Sequence, residues 1–320
     1  MRARSLFIFL VILLSAGCGN RSRSDKTVGQ TVTFPQVKVP SIYTDQEQIL
    51  DFVAAHYWDG FWKLEGVSDT TMTKGLSNGD LEQAMANYFG ILEASDIVKA
   101  RKNMASLYAR VESCAAAGDT ACFATFARMV EKYLYDPNSP ARNEDLYLPY
   151  VSGLAVSQWV SPEMKSSYEH AARMCAMNCI GEMVPDFTIR DIRSRDKDFH
   201  SIKADYIMLF FSNPGCTACK GIIDQVGSRP YVDAFIDQGI LAVVNVYIDE
   251  DLDAWRSYSV NYPENWVNGY DPLLIIRDDV LFDLRAIPSL YLLDADKKVI
   301  MKDAPVEKVL AYMDKIANNQ

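Results

Sequence analysis

Two of the seven cysteines, Cys216 and Cys219, form a Cys-x-x-Cys pattern. An apolar run typical of a buried strand, YIMLFF, ends at Phe211, and a helix is predicted to begin at Cys216. The free amides and positive dipole end of a helix favour a thiolate, which lowers the pKa of a cysteine there from about 8.5 towards neutrality. A second cysteine three residues on lies close enough to resolve a mixed disulfide. The pattern predicts dithiol chemistry, with Cys216 as nucleophile and Cys219 as resolving thiol.

Two other interpretations of this pair are a structural disulfide and half of a zinc site. Zinc needs two further ligands, and the cluster that the sequence offers is His170, Cys175 and Cys179. The strand before the pair and the helix after it match the context of a redox motif. We therefore favour dithiol chemistry, and we expect no metal and no organic cofactor.

Four other cysteines form two close pairs in the sequence. Cys114 and Cys122 lie on either side of a predicted helix–turn–helix tip at Gly118, which favours a structural disulfide worth about 2 to 3 kcal/mol. Cys175 and Cys179 are four residues apart on a predicted helix and would share a face. Inert packing or a disulfide is favoured there over an electron relay to Cys216, because free cysteines are commonly just buried.

The N-terminus has the layout of a secretory signal. Arg2 and Arg4 precede an apolar run over residues 6–14, and small residues then lead to Cys18. Gly-Cys at this point resembles a bacterial lipobox, although Ser15 stands where Leu is usual, and a plain signal peptide is the alternative. The resemblance implies a lipidated Cys18 and a protein anchored by lipid to a bacterial membrane, the outer membrane by preference, and facing the periplasm.

Composition is that of a globular protein, with 49% hydrophobic and 23% charged residues. The net charge of −10 argues against nucleic acid as a partner, because a phosphate backbone requires a basic surface. A length of 320 residues favours two domains. We predict a signal peptide over 1–17, a polar tether over 18–40, an all-α domain over 41–180 and a second domain over 183–320.

Periodicity distinguishes the two predicted domains. Apolar residues recur at helical spacing up to about residue 180, and strand-like runs alternate with helices after it. Ser161 followed by Pro162 is a typical helix start, and residues 136–140 form a turn. An aromatic-rich connection is either core or a wall of a substrate groove, with core favoured; its members are Trp255, Tyr258, Tyr262, Trp266 and Tyr270.

Ile287-Pro288 follows this connection and opens a strand–turn–strand unit. With the Cys-x-x-Cys motif, its order and its spacing, the C-terminal part resembles the thioredoxin superfamily, and Pro185-Asp186-Phe187 resembles the start of the TlpA/ResA-type branch. The resemblance implies an α/β thioredoxin-like domain, a central mixed sheet with flanking helices, after the all-α domain. It also implies a cis bond before Pro288 and a backbone at Ile287 that pairs with an extended substrate.

The sequence departs from the thioredoxin pattern at two positions. Gly215 replaces a frequent Trp, and Phe210 replaces a buried acid. The resemblance implies a thiol–disulfide oxidoreductase acting on cysteine pairs of exported proteins, a reductase by preference, which then needs an electron donor. The alternative is a lipoprotein that uses the same fold only as a binding or scaffolding module.

Overall fold

The computed structural model describes residues 32–319, and its first part is built from six helices. They are α1 (Gln46–His56), α2 (Asn78–Glu93), α3 (Ile97–Ala116), α4 (Thr120–Leu134), α5 (Glu144–Val156) and α6 (Pro162–Cys175). Each begins behind a short polar side chain that accepts a hydrogen bond from an otherwise unpaired amide of the first turn. The caps are Asp45, Ser77, Asp96, Asp119, Asn143 and Ser161. Ser161 with Pro162 at N1 confirms the predicted start of α6.

The helices enclose one apolar core, which includes residues from Ala54 to Cys175. A short antiparallel ribbon, β1 (Met72–Thr73) and β2 (Leu76–Ser77), stands beside it, so the helical part is not purely α-helical. Its turn is made by Lys74 and Gly75, whose φ angles are both positive, 51° and 77°. Turns with positive φ angles match the twist of paired strands and are typical of β-hairpins. The helical periodicity of the surrounding sequence hides this hairpin.

The second part is a seven-stranded mixed sheet with helices on it. Its strands are β3 (Thr188–Arg190), β4 (Asp196–Asp198), β5 (Tyr206–Phe211), β6 (Leu241–Tyr247), β7 (Val267–Tyr270), β8 (Ser289–Asp294) and β9 (Val299–Met301), in the order β4-β3-β7-β6-β5-β8-β9. The helices are α7 (Thr217–Gly227), α8 (Val232–Asp237), α9 (Leu252–Tyr258), α10 (Ile275–Asp278) and α11 (Val306–Asn318). β5 pairs with β6 in parallel and with β8 antiparallel. The predicted sequence of a helical part and then a mixed sheet with flanking helices is confirmed.

Alternate residues of the central strands enter two apolar layers, one on each face of the sheet. Leu209 and Phe211 of β5 lie in one layer, and Met208 and Phe210 lie in the other. This explains why the strand reads as a continuous apolar run, since both of its faces are covered. The end of β5, and with it the start of α7, is therefore fixed at the centre of the fold.

The aromatic-rich connection is core. Trp255, Tyr262 and Tyr270 are buried and pack with Tyr247 in a small cluster of their own. The connection also contains β7, which the sequence did not reveal. β7 extends the sheet in parallel to β6 and contacts β3 through Arg190 and Tyr270, so it joins the two halves of the sheet.

Charged side chains join the helical part to the sheet part at a buried junction. Lys302 makes an ion pair of 2.8 Å with Glu144, and Arg285 pairs with the same carboxylate. Arg142 pairs with Asp303 at 3.1 Å. We call these five residues the junction cluster. Within residues 32–319, no helix combines the length and the apolar character needed to cross a membrane.

Candidate active site

Cys216 is the N-cap residue of α7, at the point where the chain leaves β5 and enters the helix. Its sulfur is bonded to that of Cys219, with the two Cα atoms 5.2 Å apart. The backbone amide of Cys219 also donates to the sulfur of Cys216, at 3.0 Å. One of the otherwise unpaired amides of the first helical turn is thus directed at this sulfur, and it would stabilise a negative charge there.

The loop before the pair has a fixed conformation. The amide of Cys216 donates to the carbonyl of Asn213 at 3.3 Å, and the Asn213 side chain donates to Asp249 at 2.9 Å. Gly215 has a φ of 72°, which favours glycine over any residue with a Cβ. The replacement of the frequent Trp by Gly215 therefore has a backbone reason in this chain.

The two sulfurs differ in exposure. Cys216 is half-buried, whereas Cys219 is buried at 2% exposure and packs in an apolar layer with Phe210 and Leu290. Phe210, in the place of the acid, belongs to the same layer. An approaching molecule therefore meets Cys216 first, which is the order that a nucleophile and a resolving thiol require.

The peptide bond between Ile287 and Pro288 is cis, as the resemblance predicts. Pro288 directly precedes β8, whose first residue, Ser289, is paired with Phe211 at the end of β5. The pairing of β5 with β8 thus places the cis-proline loop and the Cys-x-x-Cys motif at the same end of these two strands. Outside the helices and strands, no backbone hydrogen bond recorded for residues 32–319 uses the amide or carbonyl of Ile287.

A groove of about 470 Å³ lies beside the motif and the cis-proline. Ala218 and Ile222 of α7 line it on one side, and residues 137–140 and Arg142 of the helical part line it on another. From the sequence, residues 136–140 are predicted only to form a turn. No local pattern indicates that this turn would face a loop about 150 residues further on.

Cys114 and Cys122, predicted to form a disulfide, are free thiols at the tip of α3 and α4. They lie close enough to interact, since hydrogen bonding with Cys122 lowers the pKa of Cys114 to about 7. The same interaction, with burial, raises the pKa of Cys122. The predicted bond is therefore not formed in this structure, although the two thiols are placed next to each other.

Cys175 and Cys179 are also free, and both are buried. The prediction that they share a helix face is wrong, because α6 ends at Cys175 and Asn178 then takes a φ of 50°. Burial raises the pKa of both thiols, that of Cys179 to about 11. Protonated thiols are poor nucleophiles, so this environment favours inert packing over a relay of electrons.

No group of three or more His, Cys, Asp or Glu side chains in residues 32–319 is arranged to hold a metal ion. Cys18 and the predicted signal peptide lie outside the described residues.

Comparison with known proteins places these features in a family. A family profile described as a domain of unknown function (DUF5106) matches residues 15–178, just over half of the chain. The crystal structure of a thioredoxin-like protein from Bacteroides caccae is 32% identical, with a TM-score of 0.74 and a match covering 88% of this chain and 98% of that one. None of the curated proteins matches the sequence.

Two further solved structures match the C-terminal part. The C-terminal domain of an uncharacterized protein from Bacteroides fragilis is 38% identical over 42% of this chain and 96% of that one, with a TM-score of 0.41. The thioredoxin domain of a thiol-disulfide oxidoreductase from Bacteroides vulgatus is 19% identical over 43% of this chain and 97% of that one, with a TM-score of 0.39.

A cysteine pair at a helix N-terminus, a cis-proline beside it and a mixed sheet beneath both define a thioredoxin-like fold. The match to the Bacteroides caccae structure extends this likeness through the helical part. The chain belongs to the thioredoxin-like proteins, and its residues 15–178 belong to the DUF5106 family.

Proposed function

We propose that this protein is a thiol–disulfide oxidoreductase that acts on cysteine pairs of exported proteins. The observation that carries the proposal is the position of Cys216. Its sulfur caps α7 and accepts a hydrogen bond from the Cys219 amide. It is also covalently bonded to the sulfur of Cys219, a buried cysteine that can resolve an adduct. Ile287, beside it, has a backbone available for pairing with an extended segment, as strand addition requires.

The reaction in the reducing direction follows from this arrangement. The Cys216 thiolate attacks one sulfur of a substrate disulfide, forms a mixed disulfide and expels the other substrate sulfur as a thiolate, which takes a proton from solvent. Cys219 then loses its proton, attacks the sulfur of Cys216 and expels the second substrate thiolate. Two electrons have passed to the substrate, and the protein is left with the Cys216–Cys219 disulfide. A dithiol donor from outside the chain must reduce this bond before the next cycle.

We favour reduction over oxidation as the direction of the reaction. Thr217 and Ala218, between the cysteines, are uncharged and add nothing that would over-stabilise the thiolate as a strong oxidant requires. Equilibration with a glutathione series tests the direction. A reductase should have a potential nearer about −270 mV than about −120 mV, and a value above about −160 mV would contradict this choice.

We further propose that the protein is attached to a bacterial membrane through lipid on Cys18 and faces the periplasm. The support for this is the signal layout of residues 2–18 alone. In such a compartment cysteine pairs of exported proteins are the available substrates, since disulfides form and persist there.

Trapping tests the proposed reaction. A Cys219→Ser variant cannot resolve the mixed disulfide, so it should retain substrate proteins on Cys216 as adducts that a reductant releases. The matched control is Cys216→Ser, which should retain none. A wild-type protein that fails to exchange with small disulfides, with no adducts on Cys219→Ser, would support the binding or scaffolding alternative instead.

A further inference from the structure

We infer that the helical part supplies one wall of the substrate groove, through Pro137, Asn138, Ser139, Pro140 and Arg142, and thereby selects the residues that flank the attacked cysteine. The inference rests on the proposed function and concerns the same site. We call these five residues the groove wall. Its proposed occupant is an extended, cysteine-containing peptide segment with small or apolar residues, and no acidic residue, next to the cysteine.

The groove runs between the motif and the groove wall. Ala218, which stands between the two cysteines, and Ile222, one turn later, form the α7 side. Ile287 and Pro288 line the same groove, so a segment paired with the backbone of Ile287 would enter it. The groove is therefore continuous with the place where a mixed disulfide forms.

The chemistry of the lining indicates what fits. Apolar groups and prolines make up most of the surface, and Asn138 and Gln225 are neutral polar groups; the apolar members include Pro137, Pro140, Ala218, Ile222, Leu290 and Val306. The guanidinium of Arg142 is already held by partners within the protein, and the exposed Glu307 carboxylate lines the same groove. An acidic substrate residue placed here would lose water and face this carboxylate, which is unfavourable.

Arg142 fixes the groove wall to the cis-proline strand. Its guanidinium donates to the Pro137 carbonyl at 2.8 Å and to the Asp303 carbonyl at 2.5 Å. The Asp303 carboxylate in turn accepts a hydrogen bond from the Ser289 hydroxyl at 2.7 Å. Ser289 directly follows Pro288, so one arginine joins both sides of the groove.

The turn itself is stiff. Pro137 and Pro140 have restricted φ angles, and the Ser139 hydroxyl donates to the Tyr133 carbonyl at 2.6 Å and accepts from the amide of Ala141 at 3.2 Å. A wall held in this way loses little conformational entropy when a peptide binds. It is therefore suited to discriminate between peptides by shape and charge.

An Asn138→Trp variant tests the inference, because this exposed side chain lines the groove and an indole there would fill it. The matched control is Asn261→Trp, another exposed asparagine, which does not line the groove. The substrates are two disulfide-linked peptides that differ only in having Ala or Glu beside each cysteine, together with hydroxyethyl disulfide. The measured quantities are kcat and KM for each, with dithiothreitol as the dithiol that reduces Cys216–Cys219 after each turnover and with the rate in the absence of protein subtracted.

Wild-type protein should reduce the Ala peptide with a higher kcat/KM than the Glu peptide. Asn138→Trp should lower kcat/KM for the Ala peptide by about tenfold or more through KM, and this factor should exceed the one for hydroxyethyl disulfide. Arg142→Gln, which removes the anchor, should narrow the ratio of kcat/KM between the two peptides. Equal effects of Asn138→Trp and Asn261→Trp on the peptides, or no preference in wild type, would overturn the inference. If the wild-type protein does not reduce hydroxyethyl disulfide at all, the proposed function is refuted instead.

Discussion

Replacing Lys302 by Met tests whether the junction cluster holds the helical part against the sheet part. The Lys302 side chain is only 2% exposed, and its ammonium group makes an ion pair of 2.8 Å with Glu144. The same group donates to the carbonyl of Cys175, the last residue of α6, at 3.0 Å and to that of Met177 at 2.5 Å. Met is similar in length but lacks the charge and the three donors.

The expected cost can be worked from these contacts. Removing one partner of a buried ion pair costs about 3 to 5 kcal/mol. Glu144 keeps Arg285 as a partner, so we take the lower end, about 3 kcal/mol, which already includes the two carbonyls left without a donor. Although burial lowers the pKa of Lys302, the Glu144 carboxylate raises it overall. The charge is therefore present at pH 7, and this contribution is lost only as the pH rises through the raised pKa.

Urea unfolding at pH 7, followed by tryptophan fluorescence, measures the change. About 3 kcal/mol corresponds to a more than hundredfold shift in the folded-to-unfolded ratio. The control is Lys298→Met, because Lys298 is 48% exposed and lies 3.7 Å from Asp296, so its loss should change stability by about 0.5 kcal/mol or less. A cost below about 1 kcal/mol for Lys302→Met, or equal costs for the two variants, would refute the reasoning.

Three further predictions concern the other cysteines. Non-reducing peptide mapping of protein from its own compartment should show Cys114 bonded to Cys122. The pKa of Cys114 is lowered to about 7, so its thiolate can attack a disulfide oxidant of that compartment, and Cys122 beside it can then displace the oxidant as a thiolate and form the bond. Two free thiols there would disprove this. Cys175 and Cys179 should resist alkylation at pH 8 until urea is added, and rapid labelling of the folded protein would contradict this. Because the pKa values of both thiols are raised in the folded protein, the free energy of unfolding should fall as the pH rises above about 9, where only the unfolded thiols ionise. Cys18→Ala should release the protein from membranes, and a variant that stays with them at unchanged mass would place the anchor elsewhere.

The sequence predicted those parts of the fold that local pattern determines. The helix start at Ser161 and the apolar strand at Tyr206–Phe211 are encoded within a few residues, and the structure contains both. The cis bond at Pro288 was inferred from resemblance and is present. Each of these follows from short-range chemistry or from a motif with a fixed context.

Features that depend on distant contacts were missed. β7, at Val267–Tyr270, has two partly exposed residues followed by two buried ones, Gly269 and Tyr270. Its residues therefore lack the alternation of buried and exposed positions that predicts a strand. Cys179 was assigned to a helix because its spacing from Cys175 fits, whereas the left-handed turn at Asn178 ends that helix. The sequence predicts the turn at residues 136–140 but not its position in the groove, because that position depends on Arg142 meeting Asp303 across the chain.

The junction cluster has a consequence for the order in which the molecule is completed. Arg142 and Asp303 are 161 residues apart, and Lys302 meets carbonyls 127 and 125 residues before it. During synthesis from the N-terminus, the helices and both reactive cysteines emerge before these partners exist. β5 also lacks its neighbour β8 until residue 294 has been made. The reactive pair is therefore synthesised about two thirds of the way along the chain but enclosed only at the end, so a nascent or truncated chain carries the cysteines without the groove beside them.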